Sequence, residues 1–370
     1  MRIRLWIVLL LLMGLDRTAA REFAAEGSDL LMGVGPIQIA QGSAVVASDN
    51  GVYSLFWNPA GLAALSQHQW VLAGQINRTL AHISFAGLGL VLPRYSPLGL
   101  KTVLGFSYVP RAHFTANGTF KANEVETMFM QSGLPGMAGG FSGKLQSKTN
   151  DYRIGLGMRF DALPRLDLGG SLGRIRCHSL FAGYHKNDTT NFTNKEIWAN
   201  AWALDLGARY RIREDLTFGI VLKNIRADLD VKTVTTDNSG THTLNFSVPY
   251  INDVSLGLDY RYSDSLSFSL AYQYLYGTYS TSTFDIRLLR LGGTYRYGRL
   301  HGHFGLVAPL RIAGSKLQNV KLPVPAMPTF GLSYDYKNIT FGTALYFHPI
   351  KSLAARSAKP VMDFSVQYRF

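Results

Sequence analysis

The residues able to do chemistry in this chain are few and scattered. His301 and His303 stand two apart. In a strand that spacing puts both imidazoles on one face, where they could share a metal ion. No third ligand is identifiable, so the pair reads as polar lining, and no metal or other cofactor is expected. Cys177 is the single cysteine; it excludes an internal disulfide and fits no zinc spacing. There is no Gly-x-Ser-x-Gly string and no convincing Ser/His/acid set, so enzymatic activity is not expected. What recurs is arginine beside an aromatic: Arg159-Phe160, Arg209-Tyr210, Arg261-Tyr262 and Arg296-Tyr297, with Arg369-Phe370 at the end. A guanidinium offers charge-assisted hydrogen bonds suited to a carboxylate. A second set is greasy. Met128, Phe129, Met130 and Phe141 fall in one stretch, 115–150, and form an adaptable apolar surface.

The elements that must position these residues alternate strictly. Reading back from Phe370, the residues Phe370, Tyr368, Val366, Phe364 and Met362 are apolar, while Arg369, Gln367, Ser365 and Asp363 are polar. Period-two alternation closing on an aromatic, repeated along the chain, is the pattern of a membrane-spanning antiparallel β-barrel. Fourteen strands are expected, near 68–77, 81–93, 101–114, 151–161, 165–177, 197–212, 215–227, 251–262, 265–278, 284–297, 299–311, 328–337, 338–348 and 361–370. Short turns such as Ser263-Asp264-Ser265 alternate with long links at 115–150, 178–196, 228–250 and 312–327, as short periplasmic turns alternate with external loops. Leu204, Leu206 and Tyr210 are expected to face lipid and Asp205, Arg209 and Arg211 a polar interior. A charge on the lipid face costs roughly 2–4 kcal/mol at mid-membrane, which rejects the one-residue slip. The 37 glycines, 19 Tyr, 21 Phe and 5 Trp suit tight turns and interfacial girdles.

The N-terminus reads differently. Arg2 and Arg4 precede the apolar run Leu5 to Leu12, and Thr18-Ala19-Ala20 is a small-residue cleavage site. Residues 1–20 therefore read as a secretory signal peptide. The formal charge of +13 points to an anionic lipid or solute; export makes nucleic acid a poor partner. Residues 21–66 form a plug segment rich in Gly and Ala, without sustained alternation, and 67–370 the barrel.

Within the plug segment, Asn58-Pro59-Ala60 is the most specific string. In its setting Trp57-Asn58-Pro59-Ala60-Gly61-Leu62 it resembles the N-terminal hatch of the FadL-type long-chain fatty-acid transporter family. PorV-like outer-membrane proteins and FadL-like proteins of spirochaetes share the pattern. The resemblance implies a hatch gated at Asn58, Pro59 and Ala60, within a fourteen-stranded barrel of a diderm bacterium's outer membrane. It implies passage of a hydrophobic, anionic solute such as a long-chain fatty acid, with lateral release through the wall. Pro110 cannot donate to a β-ladder; it marks such a wall opening or simply ends its strand. Arg159, Arg209, Arg261 and Arg296 are the candidate cations for the ligand. Met128, Phe129, Met130 and Phe141 are candidates for its capture. The end of the chain, Tyr368 and Phe370, resembles the signal read by the outer-membrane assembly machinery. Two rivals stand beside transport: a PorV-like docking barrel for secreted proteins, and a general porin.

Overall fold

The computed structural model describes residues 22–26, 31–76, 81–93, 99–120, 141–185, 188–279, 282–314, 326–348 and 360–370. The leader reading for residues 1–20 lies outside them. The strands are β1 (Glu22–Glu26), β2 (Gln69–Ile76), β3 (Ala81–Val91), β4 (Leu100–Phe120), β5 (Phe141–Phe160), β6 (Leu166–His185), β7 (Asp188–Arg213), β8 (Leu216–Ile225), β9 (Asp228–Asp237), β10 (Gly240–Pro249), β11 (Asn252–Arg261), β12 (Leu266–Tyr279), β13 (Ser282–Tyr297), β14 (Leu300–Gly314), β15 (Met327–Tyr336), β16 (Ile339–Phe347) and β17 (Pro360–Arg369). All pairings are antiparallel, and β17 pairs with β2 from Met362↔Ile76 to Arg369↔Gln69. That pairing closes the sheet, so no edge is left for lipid to meet.

Fourteen strands make the closed ring, β2 to β8 and β11 to β17. The other three are extensions. β9 and β10 form a hairpin that continues β8 and β11 outward, with β9 pairing on β7 from Thr193↔Asp237 to Asn200↔Asp230. The break between β8 and β9 falls where Asn224 (φ 59°) and Arg226 (φ 50°) adopt left-handed backbone. Asn224 is pinned there by its N–H to Asp205 Oδ1 at 2.8 Å and its Nδ2 to the Ile251 carbonyl at 2.7 Å. Asn tolerates this conformation better than most residues.

The wall matches a bilayer. On β7, Trp202, Leu204, Leu206 and Tyr210 are exposed on the outside, while Asp205 and Arg209 are buried inside. Trp202 and Tyr210 are eight residues apart, ~27 Å along the strand at the usual rise. At a strand tilt of about 35–45° that separation is roughly 20 Å along the membrane normal, near the height of an apolar band flanked by two aromatic girdles. Phe268 and Tyr276 bracket β12 with the same spacing. No helix is long and apolar enough to cross a membrane among the described residues; the crossing is made by the strands of a closed β-barrel.

Three of the expected external links are strand over much of their length. β4 to β7 run on past the membrane boundary, and 228–249 is the β9–β10 hairpin. The ladder continues there although the lipid-facing code stops. Outside the bilayer both faces of a strand can be polar, as with Lys144 and Lys148 exposed on β5 beside buried Ser147 and Thr149.

Residues 31–65 lie inside the ring. They form α1 (Pro36–Ala40), a 3-10 turn (Gly51–Tyr53), α2 (Ser54–Trp57) and a second 3-10 turn (Pro59–Ala64). Their aliphatic and aromatic side chains, among them Val34, Val52, Leu55 and Leu62, are fully buried.

Candidate functional site

The plug rests on glycine. Inward positions of the wall lack side chains where plug backbone passes. A Cβ on Gly305 would lie 1.9 Å from Gly42 N, on Gly169 2.3 Å from Ala60 N, on Gly157 2.5 Å from Ala63 N, and on Gly219 2.6 Å from the Val46 carbonyl. Gly292 would meet the Gln41 carbonyl at 2.3 Å and Gly207 the Asn58 Oδ1 at 2.0 Å. Any L side chain here would force plug and wall apart.

Polar groups then tie plug to wall. Asn58 is buried; its Nδ2 donates to the Val46 carbonyl at 2.9 Å and to the Ala208 and Ile220 carbonyls of β7 and β8, each at 3.2 Å. Its Oδ1 accepts from Ala60 N at 3.1 Å and so caps the following turn, with Pro59 at the first position. Wall side chains reach back. Gln69 Oε1 accepts from Val52 N at 2.9 Å, Thr329 Oγ1 donates to the Ala40 carbonyl at 2.9 Å, and Arg209 Nε donates to the Ala47 carbonyl at 2.9 Å. Arg209 also pairs with Asp49 of the plug.

Above this seat lies a buried charged layer. Arg111 meets Asp151 at 2.6 Å. Arg153 meets Asp151 at 3.0 Å and also Asp205. Lys223 meets Asp253 at 3.2 Å and donates to the Phe56 carbonyl at 3.0 Å. Arg290 donates to the Gln273 Oε1 through Nε at 3.1 Å and to the Leu31 carbonyl at 2.7 Å. The plug presents aromatic faces to these cations. Lys223 Nζ is 4.5 Å from the Phe56 centroid and Arg111 5.1 Å from the same ring. Nε and NH1 of Arg111 have no hydrogen-bond partner among the described residues. This guanidinium is shared with Asp151 and lies beside the Tyr250 hydroxyl, and it has donor capacity for a further oxygen acceptor.

One step further out, the inward face becomes apolar. Ile197, Ala199, Ala201 and Ala203 on β7 join Ile175, Cys177 and Phe181 on β6, Leu229 and Val231 on β9, and Leu31 and Met32 at the top of the plug in one cluster. This corrects the expectation of a polar interior. The interior is polar and charged around the plug; beyond it an apolar cluster is interspersed with uncharged Ser147, Thr149, Ser179 and Thr233.

The wall is interrupted beside the charged layer. β3 pairs with β4 only from Val91↔Val103 to Ala86↔Tyr108. β3 continues to Ala81 against β2, and β4 continues through Pro110 against β5. The β3 ladder thus stops short of Val109 to Arg111. Above, β1 takes over the β4 edge, from Glu26↔His113 to Glu22↔Asn117. Both strands bulge here, β3 between Ile83 and Phe85, and β4 between Arg111 and Phe114. Phe85 lies behind the interruption against Tyr53, with ring centroids 4.6 Å apart. Ser84 Oγ and Ser107 Oγ are buried there without hydrogen-bond partners among the described residues.

The predicted residues are dispersed. Asn58, Pro59 and Ala60 sit at the plug seat, and Pro110 flanks the interruption. Arg209 and Arg159 flank Asp167, Arg159 at 2.5 Å and Arg209 at 3.8 Å, below the charged layer. Arg261 and Arg296 are exposed at the periplasmic rim, where Arg261 donates to the Glu214 carbonyl at 3.1 Å. Their inward parity is right, but their level lies beneath the plug. Met128, Phe129 and Met130 fall outside the described residues; Phe141 opens β5 opposite Phe120 and His185. Phe370 donates its N–H to the His68 carbonyl at 3.0 Å and Tyr368 stacks beside it at 5.9 Å, so the chain end closes the ring. His303 is buried and bonded to Thr294 and Ser333, each at 2.9 Å. Arg111 and Lys223 escaped the sequence reading; Arg290 is expected there on the inward face of its strand, without a role. Each is a cation on an inward position of a strand, and that parity was the available signal.

No protein-family model matches this sequence, and no curated protein matches it either. Solved structures do resemble it. The toluene transporter TbuX of Ralstonia pickettii superposes with a TM-score of 0.62 at 14% identity, over 92% of this chain and 99% of that one. The toluene transporter TodX of P. putida gives 0.59 at 13%, over 92% and 99%. A FadL homologue of Pseudomonas aeruginosa gives 0.62 at 10%, over 94% and 100%. At these identities the likeness establishes the fold: a plugged fourteen-stranded β-barrel. The particular solute is a separate question.

Proposed function

We propose that the protein moves hydrophobic acids, long-chain fatty acids first among them, across the outer membrane. The observation that carries this reading is the sequence of environments along the lumen. An apolar stretch of the inward face lies beyond buried Arg111 and Lys223, and the β3–β4 ladder stops short of Val109 to Arg111. An alkyl chain gains about 0.8 kcal/mol per methylene buried against such a surface. The carboxylate then meets the spare donors of Arg111, over the faces of Phe56 and Trp57. Displacement of the plug's upper residues opens the way to the interruption beside Pro110, and the solute leaves sideways into the outer leaflet at the level of its headgroups. The greasy segment holding Met128 to Met130 and Phe141 serves as the collecting surface. Arg209 and Arg159 act on the plug rather than on the ligand, and residues 1–20 act as the cleaved leader.

Neutral aromatic hydrocarbons are the second reading, favoured by TbuX and TodX. The buried cations argue for the acid, because a hydrocarbon leaves their donors unused. Purified protein is titrated with oleate and, separately, with toluene, and cells expressing it are assayed for uptake of labelled oleate. Saturable oleate binding and uptake above the empty vector are expected. Binding of toluene alone would replace the acid by the hydrocarbon. Binding and uptake of neither would give precedence to the docking barrel.

A further inference from the structure

The outside of the barrel is not uniform around its circumference. On β4 to β7 successive outward rows can be read from the register. The row Phe106, Ile154, Leu172 and Leu204 is exposed and apolar. The next row outward is Tyr108, Tyr152, Arg174 and Trp202, about 7 Å higher by the strand rise. The Tyr108 and Tyr152 rings meet in a tilted arrangement with centroids 5.1 Å apart, and the Arg174 guanidinium lies 4.9 Å from the Trp202 ring. An aromatic row directly above an apolar one marks the outer membrane–water boundary. Above it come Arg176 between Asn150 and Asn200, and then Lys148, His178, Trp198 and Lys232 in a single row.

These cations are outward and accessible: Arg176, Lys148 and Lys232 are exposed and Arg174 is half-buried. Among the described residues no carboxylate pairs with any of the four. The nearby acids are Glu196, which is taken up by His178 at 2.9 Å, and Asp230 at the far end of the Arg176 row. The same boundary on β12 to β14 is built differently. There Arg287 and Arg311 both reach Asp285, at 3.0 and 3.2 Å. One sector of the girdle neutralises its arginines and the other leaves them open.

We propose that the open sector, with Arg174, Arg176, Lys148 and Lys232, binds the phosphate headgroups of anionic lipids in the outer leaflet. The level is that of headgroups, the charge is complementary, and the Tyr–Trp row below offers a surface for the acyl chains. Each basic residue near an anionic membrane surface contributes about fivefold in affinity.

The test uses the full-length protein in vesicles of equal parts phosphatidylcholine and phosphatidylglycerol. It is extracted in mild detergent, and the retained lipid is identified by native mass spectrometry. The wild type is expected to retain phosphatidylglycerol in preference. The triple variant K148Q/R174Q/R176Q, verified as folded by heat-modifiable migration, is expected to lose that preference by on the order of a hundredfold. R287Q, in the neutralised sector, is expected to keep it. Absence of selectivity in the wild type, or selectivity unchanged in the triple variant, overturns the proposal. Displacement of the retained lipid by inorganic phosphate at equal concentration would show an anion site and overturn the assignment to lipid. The readout is lipid retention, so it stands or falls independently of which solute is transported.

Discussion

Strand β7 carries two halves of the molecule on one face. Its inward residues read Ile197, Ala199, Ala201 and Ala203, and then Asp205, Gly207 and Arg209. The first four line the apolar cluster; the last three meet the charged layer and the plug. The outer half of this strand's inward face carries small and aliphatic side chains. The inner half is built to hold something, with glycines that admit backbone and charges that grip it. A porin constriction would need polar groups throughout the passage. The contrast suits a path that favours apolar matter until it reaches a plug with charged surroundings.

The most damaging way to break this contrast is to put bulk into the plug seat. G305L would place its first side-chain carbon 1.9 Å from Gly42 N. Overpacking of this kind costs about 1–3 kcal/mol, and expelling the plug relieves it. Conductance in planar bilayers is expected to rise at least tenfold over a closed wild type, with the barrel still heat-modifiable. A G305L channel as tight as the wild type would mean that the plug does not depend on this seat.

A smaller effect is expected from removing one charge at the junction of the halves. K223Q keeps a donor for the Phe56 carbonyl but no longer faces Asp253 with a charge. Loss of a charge-assisted contact is worth about 1.5–3 kcal/mol, so oleate affinity should fall roughly tenfold or more, while toluene binding should not change. Equal losses for both ligands would indicate a general disturbance of the lumen and would remove the cation from the recognition of the acid.

The barrel was legible because bilayer and sheet enforce the same period. Leu204, Leu206 and Tyr210 against Asp205 and Arg209 fix parity, and the terminal Phe370 fixes where the ring closes. The fourteen crossings follow closely from that signal. The extensions of β4 to β7 were not legible because the outward code ends at the membrane while the ladder continues. The apolar inward cluster was missed for a related reason. Ala199, Ala201 and Ala203 sit among Trp198, Asn200 and Trp202, so alternation in polarity is lost although alternation in direction persists. The glycines of Gly157-Met158-Arg159 and Gly207-Ala208-Arg209 were visible as a repeat. Their role as a seat required knowing what lies opposite, and that contact is between residues far apart in the chain. Asn58 stood out by its motif, while its acceptors on β7 and β8 could be known only from the closed ring.

Asn58 tests how firmly the inner half grips. N58A removes three donated hydrogen bonds and one accepted bond, each worth about 0.5–1.5 kcal/mol net. The loss falls on the contact between plug and wall, not on the ladder. Uptake of oleate should change several-fold while the unfolding temperature of the barrel moves little. A large fall in barrel stability with unchanged uptake would make Asn58 a structural brace and nothing more.

The subtlest change expected is at the wall itself. Pro110 lies where the β3–β4 pairing has lapsed, and it offers no N–H for that pairing to resume. P110A supplies the donor and leaves the side chain small. If the interruption is an exit held open partly by the missing donor, one regained ladder bond, about 0.5–1.5 kcal/mol net, should narrow it. Uptake should then fall two- to tenfold, with oleate affinity in the lumen unchanged, since Arg111 and Lys223 are untouched. Hydrogen exchange of the backbone amide that P110A introduces reports the bond directly. Protection of that amide with uptake at the wild-type rate would sever the link between the interruption and release.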